Sequence, residues 1–165
     1  MKIGIMGGTF NPIHNAHLLI AEMAREEYRL DRVIFITDGN PPHKSANVTA
    51  KQRFEMTHIA IADNSAFEED DFEINRSEKS YTVNTLGYLK EKYPNNDLFF
   101  IIGEDSLNDF DKWYKPDKIL EMCSLLVFPR KSLKSLTETI KAVKEKMNGR
   151  IFPISAPVFR ISSTD

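Results

Sequence analysis

The chain is short of the features that assign a protein to a special class. Among its 165 residues there is one cysteine, Cys123, so no internal disulfide can form and a reducing, cytoplasmic setting is the expectation. No apolar run approaches the length that spans a bilayer. Gly7-Gly8 come too early for the apolar centre of a signal peptide. Neither sign of charge dominates: 22 Lys and Arg against 24 Asp and Glu leave a net charge of −2. That balance offers no general attraction to nucleic acid or a membrane surface, although a local basic pocket is compatible with it. Repeats, low-complexity tracts and linkers are lacking too, so one domain with a sizeable core is expected. What is left is ordinary globular composition, 41% apolar and 28% charged.

The order of the apolar runs carries the first positive information. Ile3, Ile5 and Met6 read as a short buried strand that breaks at Gly7-Gly8. Asn15 is placed to cap a helix running to about Tyr28. VIFIT at 33–37 is a dense β-branched and aromatic strand, and DGNPPHKSANV at 38–48 is a loop. Thr49 caps a helix to about Ala62. The acidic run EEDD at 68–71 reads as a solvated loop, with a short strand following at Phe72–Asn75. Ser80 caps a helix over Tyr81–Tyr93, stopped by Pro94. LFFII at 98–102 is the strongest strand signal and ends at Gly103. Trp113–Met122 holds a short helix, SLLVF at 124–128 a strand, Leu133–Met147 an amphipathic helix closed by Gly149, and Ile151–Ile154 a last strand.

Strands alternating with helices predict an α/β fold: a Rossmann-like, doubly wound parallel sheet with helices on both faces. Such sheets bind ligands beyond the carboxyl ends of their strands. The loops expected there hold almost every polar residue of chemical interest. They are 7–17, 38–48, 76–80, 103–114 and 129–132.

Strand, glycine turn and helix start make an anion site, because unpaired N–H groups at a helix N-terminus and the helix dipole both favour negative charge. The glycine turn is neither a Walker A loop nor the dinucleotide fingerprint, and a purely structural turn accounts for it about as well. His14 and His17 share a helix face beside it. As a pair they could be metal ligands, yet no third ligand lies nearby, and imidazoles donating to phosphate fit an anion site better. His43-Lys44 is a basic pair on a proline-stiffened loop, whereas Lys51 and Arg53 read as surface or capping charges. Arg130 follows a strand on the ligand edge and suits bidentate phosphate recognition. Trp113-Tyr114 are either core or a stacking surface for a planar ring. The carboxylate in Gly103-Glu104-Asp105 can accept from ribose hydroxyls or cap a helix. Cys123 reads as buried and inert.

GGTFNPIHNAHL resembles the nucleotidyltransferase signature G-G-T-F-D-P-x-H-x-G-H. PPHK at 41–44, SYTVNTL at 80–86, FFIIGEDS at 99–106, KWY at 112–114 and ISST at 161–164 are similar to one branch of that superfamily, the bacterial nicotinate-mononucleotide adenylyltransferases. Departures are Asn11 and Asn84 for Asp, and Ala16 for the second glycine of H-x-G-H. The resemblance extends into the family's I-S-S-T-x-I-R motif, of which Asp165 is the last residue present, so a C-terminal helical region is expected but not contained in these residues.

The resemblance implies adenylyl transfer from ATP to nicotinate mononucleotide, giving deamido-NAD and pyrophosphate. It makes His14 and His17 the catalytic pair. Gly8, Thr9, Phe10, His14, His17, Gly103, Asp105, Ser162, Ser163 and Thr164 would bind ATP. Lys44, Thr82, Trp113, Tyr114 and Arg130 would bind the mononucleotide. No protein metal site is implied; Mg²⁺ is expected with ATP, held mainly by phosphates and water. Partners are these two nucleotides, with a homo-oligomer possible and no nucleic acid or membrane. Another transferase of the superfamily, such as a pantetheine-phosphate adenylyltransferase, lacks KWY and usually has Thr where His14 stands. A nucleotide-binding module without catalysis is the alternative from another class.

Overall fold

Apolar side chains alternate along the strands, and the protein uses both sets. The computed structural model describes residues 1–8, 10, 13–39, 49–76 and 80–155. Six strands, β1 (Lys2–Gly8), β2 (Arg32–Thr37), β3 (Phe67–Asp70), β4 (Asp97–Gly103), β5 (Ser124–Phe128) and β6 (Ile151–Pro153), form one sheet in the order β3-β2-β1-β4-β5-β6. Every neighbouring pair is parallel. Among the described residues the helices are α1 (Asn15–Tyr28), α2 (Ala50–Ile61), α3 (Thr82–Lys92), α4 (Glu104–Asn108), α5 (Pro116–Met122) and α6 (Leu133–Lys146), with a 3₁₀ turn at Phe110–Lys112.

On one face Ile3, Ile5, Ile34, Ile36, Leu98, Phe100 and Ile102 meet Leu86 and Leu89 of α3, Ile119 and Leu120 of α5 and Leu136 and Ile140 of α6. On the other, Met6, Val33, Phe35, Ile101 and Leu126 meet Ile20, Ala21 and Ala24 of α1 and Ile61 of α2. A sheet buried on both faces needs apolar residues at consecutive positions, which is why VIFIT and LFFII read as unbroken runs. The chain steps outward from β1 to β2 and β3, then crosses back to lay β4 against the other side of β1. That reversal opens a crevice at the carboxyl ends of β1 and β4. The doubly wound parallel sheet is thus the fold that forms.

Some local expectations shift. His14, extended at φ −132°, is the N-cap of α1, and Asn15 is its first helical residue. Tyr81, not Ser80, precedes α3. Trp113 closes the 3₁₀ turn and lies outside the helix that follows it. The acidic run is not a solvated loop: Glu68, Glu69 and Asp70 belong to the edge strand β3, and Phe72–Asn75 is turn rather than strand. Each of these acids has a partner that makes the strand tenable. Glu68 meets Arg32, Glu69 meets His58, and Asp70 accepts from Tyr88 and Lys92. Phe67 supplies the apolar anchor against Phe35.

Candidate active site

The crevice is a cleft of about 710 Å³. Its floor is the ends of β1 and β4, with Gly7, Gly8 and Gly103 on the rim. One wall carries Asp38, just after β2, with Glu73, Thr82 and Thr85. The other carries Gly103–Ser106 and Pro129–Lys131, and Trp113 also lines the cleft.

His17 enters from the first turn of α1. Its Nδ1 accepts the backbone N–H of His14 at 3.2 Å. That bond satisfies one of the donors a helix start leaves open, the part Glu or Gln plays in a capping box. It also sets the tautomer: with Nδ1 accepting, the neutral ring carries its proton on Nε2, free to donate. Burial, then the neighbouring His14, lower the His17 pKa from 6.5 to about 4, so the ring is neutral at physiological pH. The His14 ring lies 4.4 Å from it, centroid to centroid. Phe10 packs edge-on against the other side at 5.4 Å and against Phe35 below, in a left-handed backbone conformation with φ 49°. The Phe10 ring is therefore core, and it fixes the imidazole plane from beneath.

Opposite, Trp113 is held by Phe110 at 4.9 Å and Phe100 at 6.1 Å between centroids. Tyr114 is exposed and pairs with Tyr81 at 4.6 Å. Arg130 Nη1 donates to Asp105 Oδ1 at 3.2 Å, and both side chains stand largely in solvent. Such an ion pair is weakly held and readily exchanged for a phosphate. Glu104 is buried behind it, accepting from the Arg130 backbone N–H and the Thr139 hydroxyl. It pins the turn after β5.

The structure thus gathers Gly8, His17, Thr82, Gly103, Asp105, Trp113 and Arg130 around one cleft, with His14 beside His17. Thr9, Lys44, Ser162, Ser163 and Thr164 lie outside the described residues, as does His43. Three cleft residues escaped the sequence reading as individual side chains: Asp38, Glu73 and Thr85. No local pattern marks them, since they gather only when strand ends converge. Arg53 is a clear correction. It is not a surface charge: it is 2% exposed, and its Nη1 donates to the Asp38 carbonyl at 2.8 Å. Its position on the inner face of α2 decides its burial. Among the described residues no cluster of three or more His, Cys, Asp or Glu is placed to hold a metal. Cys123 is buried, and that burial pushes its thiol up to about 12. No helix among the described residues is long and apolar enough to cross a membrane.

Comparison with known proteins finds relatives over most of the chain. The family model described as cytidylyltransferase-like matches residues 5–165. A "probable nicotinate-nucleotide adenylyltransferase" of Citrifermentans bemidjiense is 47% identical over 144 residues, covering 85% of this chain and 67% of that protein. Its namesake in Caldicellulosiruptor saccharolyticus is 40% identical over 167 residues, covering 100% of this chain and 84% of that protein. Among solved structures, Plasmodium falciparum nicotinic acid mononucleotide adenylyltransferase complexed with NaAD superposes with a TM-score of 0.79 at 23% identity. The match covers 99% of this chain and 80% of that one, and the likeness is one of fold.

Proposed function

We propose that this chain, which belongs to the cytidylyltransferase-like family and to its nicotinate-nucleotide adenylyltransferase branch, transfers the adenylyl group of ATP to nicotinate mononucleotide, a step of NAD biosynthesis. A 5′-phosphate oxygen of the mononucleotide attacks the α-phosphorus in line. The bond from that phosphorus to the oxygen bridging to the β-phosphate breaks, and pyrophosphate leaves with the electron pair. The acceptor phosphate is itself the nucleophile, so the protein's work is positioning and stabilising charge.

The observation that carries the reading is His17: a neutral imidazole, oriented by a backbone N–H, with its Nε2–H free at the end of β1. A neutral donor stabilises charge growing on the phosphate oxygens without needing a proton from solvent. His14, as N-cap, stands at the positive end of α1 and supports the same phosphates. Gly8, Thr9 and Phe10 give backbone contacts to ATP, and Gly103 and Asp105 meet the adenosine ribose. Ser162, Ser163 and Thr164 meet the triphosphate. Lys44 binds the mononucleotide phosphate. Thr82 contacts the nicotinate through its backbone while Trp113 and Tyr114 bear on the ring. Arg130 neutralises charge at the cleft edge once phosphate displaces Asp105. Mg²⁺ accompanying ATP would be held mainly by phosphate oxygens and water and would supply charge withdrawal from phosphate. A reducing, cytoplasmic setting suits a lone buried thiol.

The test is pyrophosphate release with ATP held fixed and the acceptor varied. Turnover with nicotinate mononucleotide well above that with nicotinamide mononucleotide is expected. ATP binding with no release from either acceptor would reduce the chain to a nucleotide-binding module.

A further inference from the structure

On the wall of the cleft nearest β2, two carboxyl side chains face one another. Glu73 is only 9% exposed and lines the cleft together with Asp38. Thr85 Oγ1, on α3, donates to Glu73 Oε2 at 2.6 Å. The other partner of the Glu73 carboxyl is Asp38, bonded side chain to side chain. The backbones lie close as well. A Cβ at Gly39 would overlap the Glu73 carbonyl oxygen, so only glycine lets the exit of β2 lie against this segment. The Asp38 N–H bonds the Gly8 carbonyl at 2.9 Å, and its own carbonyl is held from beneath by Arg53. Asp38 and Glu73 therefore join four pieces: the end of β1, the exit of β2, the turn after β3, and α3. Thr82, which lines the same cleft, opens that helix.

We infer that Glu73 is a positioning residue for the acceptor half of the cleft, its carboxyl tying the exit of β2, through Asp38, to α3, through Thr85. The inference rests on the adenylyl-transfer reading for its kinetic consequence. Two carboxylates in direct hydrogen-bond contact cannot both be ionised; one must donate. Burial chiefly, then the charge of Asp38, raise the Glu73 pKa from 4.5 to about 7, against the lowering effect of the Thr85 hydroxyl and of Arg76. The groups facing it among the described residues are Asp38 from the exit of β2, Arg76 from its own segment and Thr85 from α3, with His17 of α1 lining the same cleft. While Glu73 is protonated the exit of β2 and the turn after β3 are clasped. Once it is ionised two negative charges repel, next to a site whose substrates are polyanions.

Glu73→Gln separates this role from a merely structural one. Its amide N–H can donate to Asp38 and its carbonyl can accept from Thr85, but it does not titrate. Glu73→Ala is expected to raise KM for nicotinate mononucleotide roughly tenfold, with KM for ATP unchanged. Glu73→Gln is expected to restore wild-type KM at neutral pH. In wild type that KM rises as pH passes above about 7, and in Glu73→Gln the rise is gone. Thr85→Val, which removes the hydroxyl donor without changing bulk, is expected to shift the same KM in the same direction. A Gln variant as impaired as the Ala variant, or one that keeps the alkaline rise, would overturn the inference. So would an equal rise in KM for both substrates. The proton on Glu73 also has a readout that needs no turnover. The infrared carbonyl band of a protonated carboxylic acid should disappear in wild type as pH rises through about 7 and be missing from Glu73→Gln. Absence of that band in wild type overturns the inference even in an active enzyme. Its presence in a protein that releases no pyrophosphate sinks the functional reading instead.

Discussion

The two walls of the cleft are built on opposite principles. On the β4–β5 side, Arg130 and Asp105 pair in solvent, with side chains 63% and 69% exposed. On the β2–α3 side, a buried Glu73 bonds both the buried Thr85 and the half-buried Asp38, above a buried arginine. An exposed ion pair contributes little to stability and gives way to a competing anion at little cost. A buried polar network is the reverse: every member must be satisfied, and losing one leaves its partners stranded. One wall therefore holds charge ready for exchange, and the other holds shape. His17 stands between them, neutral and fixed by a backbone bond.

Four measurements sharpen or break this contrast. Removing the donor between the walls has the largest effect. His17→Ala is expected to lower kcat on the order of 100- to 1000-fold, with circular dichroism unchanged. A variant with near-normal kcat would remove His17 from the chemistry. Trp113→Ala comes next. It should raise KM for nicotinate mononucleotide roughly tenfold or more, since ring stacking is worth about 1–3 kcal/mol, while KM for ATP stays put. Equal effects on both substrates would argue against stacking on the acceptor ring. Arg130→Ala tests the exchangeable wall. Thermal stability should hold within about 0.5 kcal/mol, whereas KM for the mononucleotide should rise several-fold and more steeply at low salt. A rise confined to ATP would move Arg130 to the adenosine side with Asp105.

The smallest effect lies in the pH dependence of unfolding, where the two regions pull in opposite directions. His17 has its pKa lowered to about 4, so between about 4 and 6.5 the unfolded chain binds the proton that the folded chain refuses. Stability then rises with pH across that window. Glu73 has its pKa raised to about 7, so between 4.5 and about 7 the folded chain binds the extra proton, and stability falls with pH. Relative to wild type, His17→Gln should lose the rise and Glu73→Gln should lose the fall, each by on the order of 3 kcal/mol at most. Denaturant titrations at several pH values decide it. Differences of the same sign would mean that one of the two groups is not buried as described.

Much of the sheet was legible because its strands are buried on both faces. VIFIT and LFFII have no other reading once glycine and polar turns bound them, and Thr49 caps α2 as read, through a hydroxyl that accepts from Gln52. The acidic edge strand was not legible. Glu68, Glu69 and Asp70 look solvated until Arg32, His58 and Lys92 arrive from other elements. Arg53 misled for the same reason: charge predicts exposure, and the Asp38 carbonyl that its guanidinium meets arrives from another element.

By itself the sequence determined the alternation of strands and helices, the glycine turn before a helix start, and the two imidazoles beside it. These are local facts, set by periodicity and by the groups a helix end leaves unpaired. Tertiary structure alone decided that His17 is neutral with its proton on Nε2, because burial and a backbone bond do that. It alone decided that Asp38 and Glu73, 35 positions apart, meet across a glycine. Protonation and pairing depend on what surrounds a group, and surroundings exist only once the strand ends have converged.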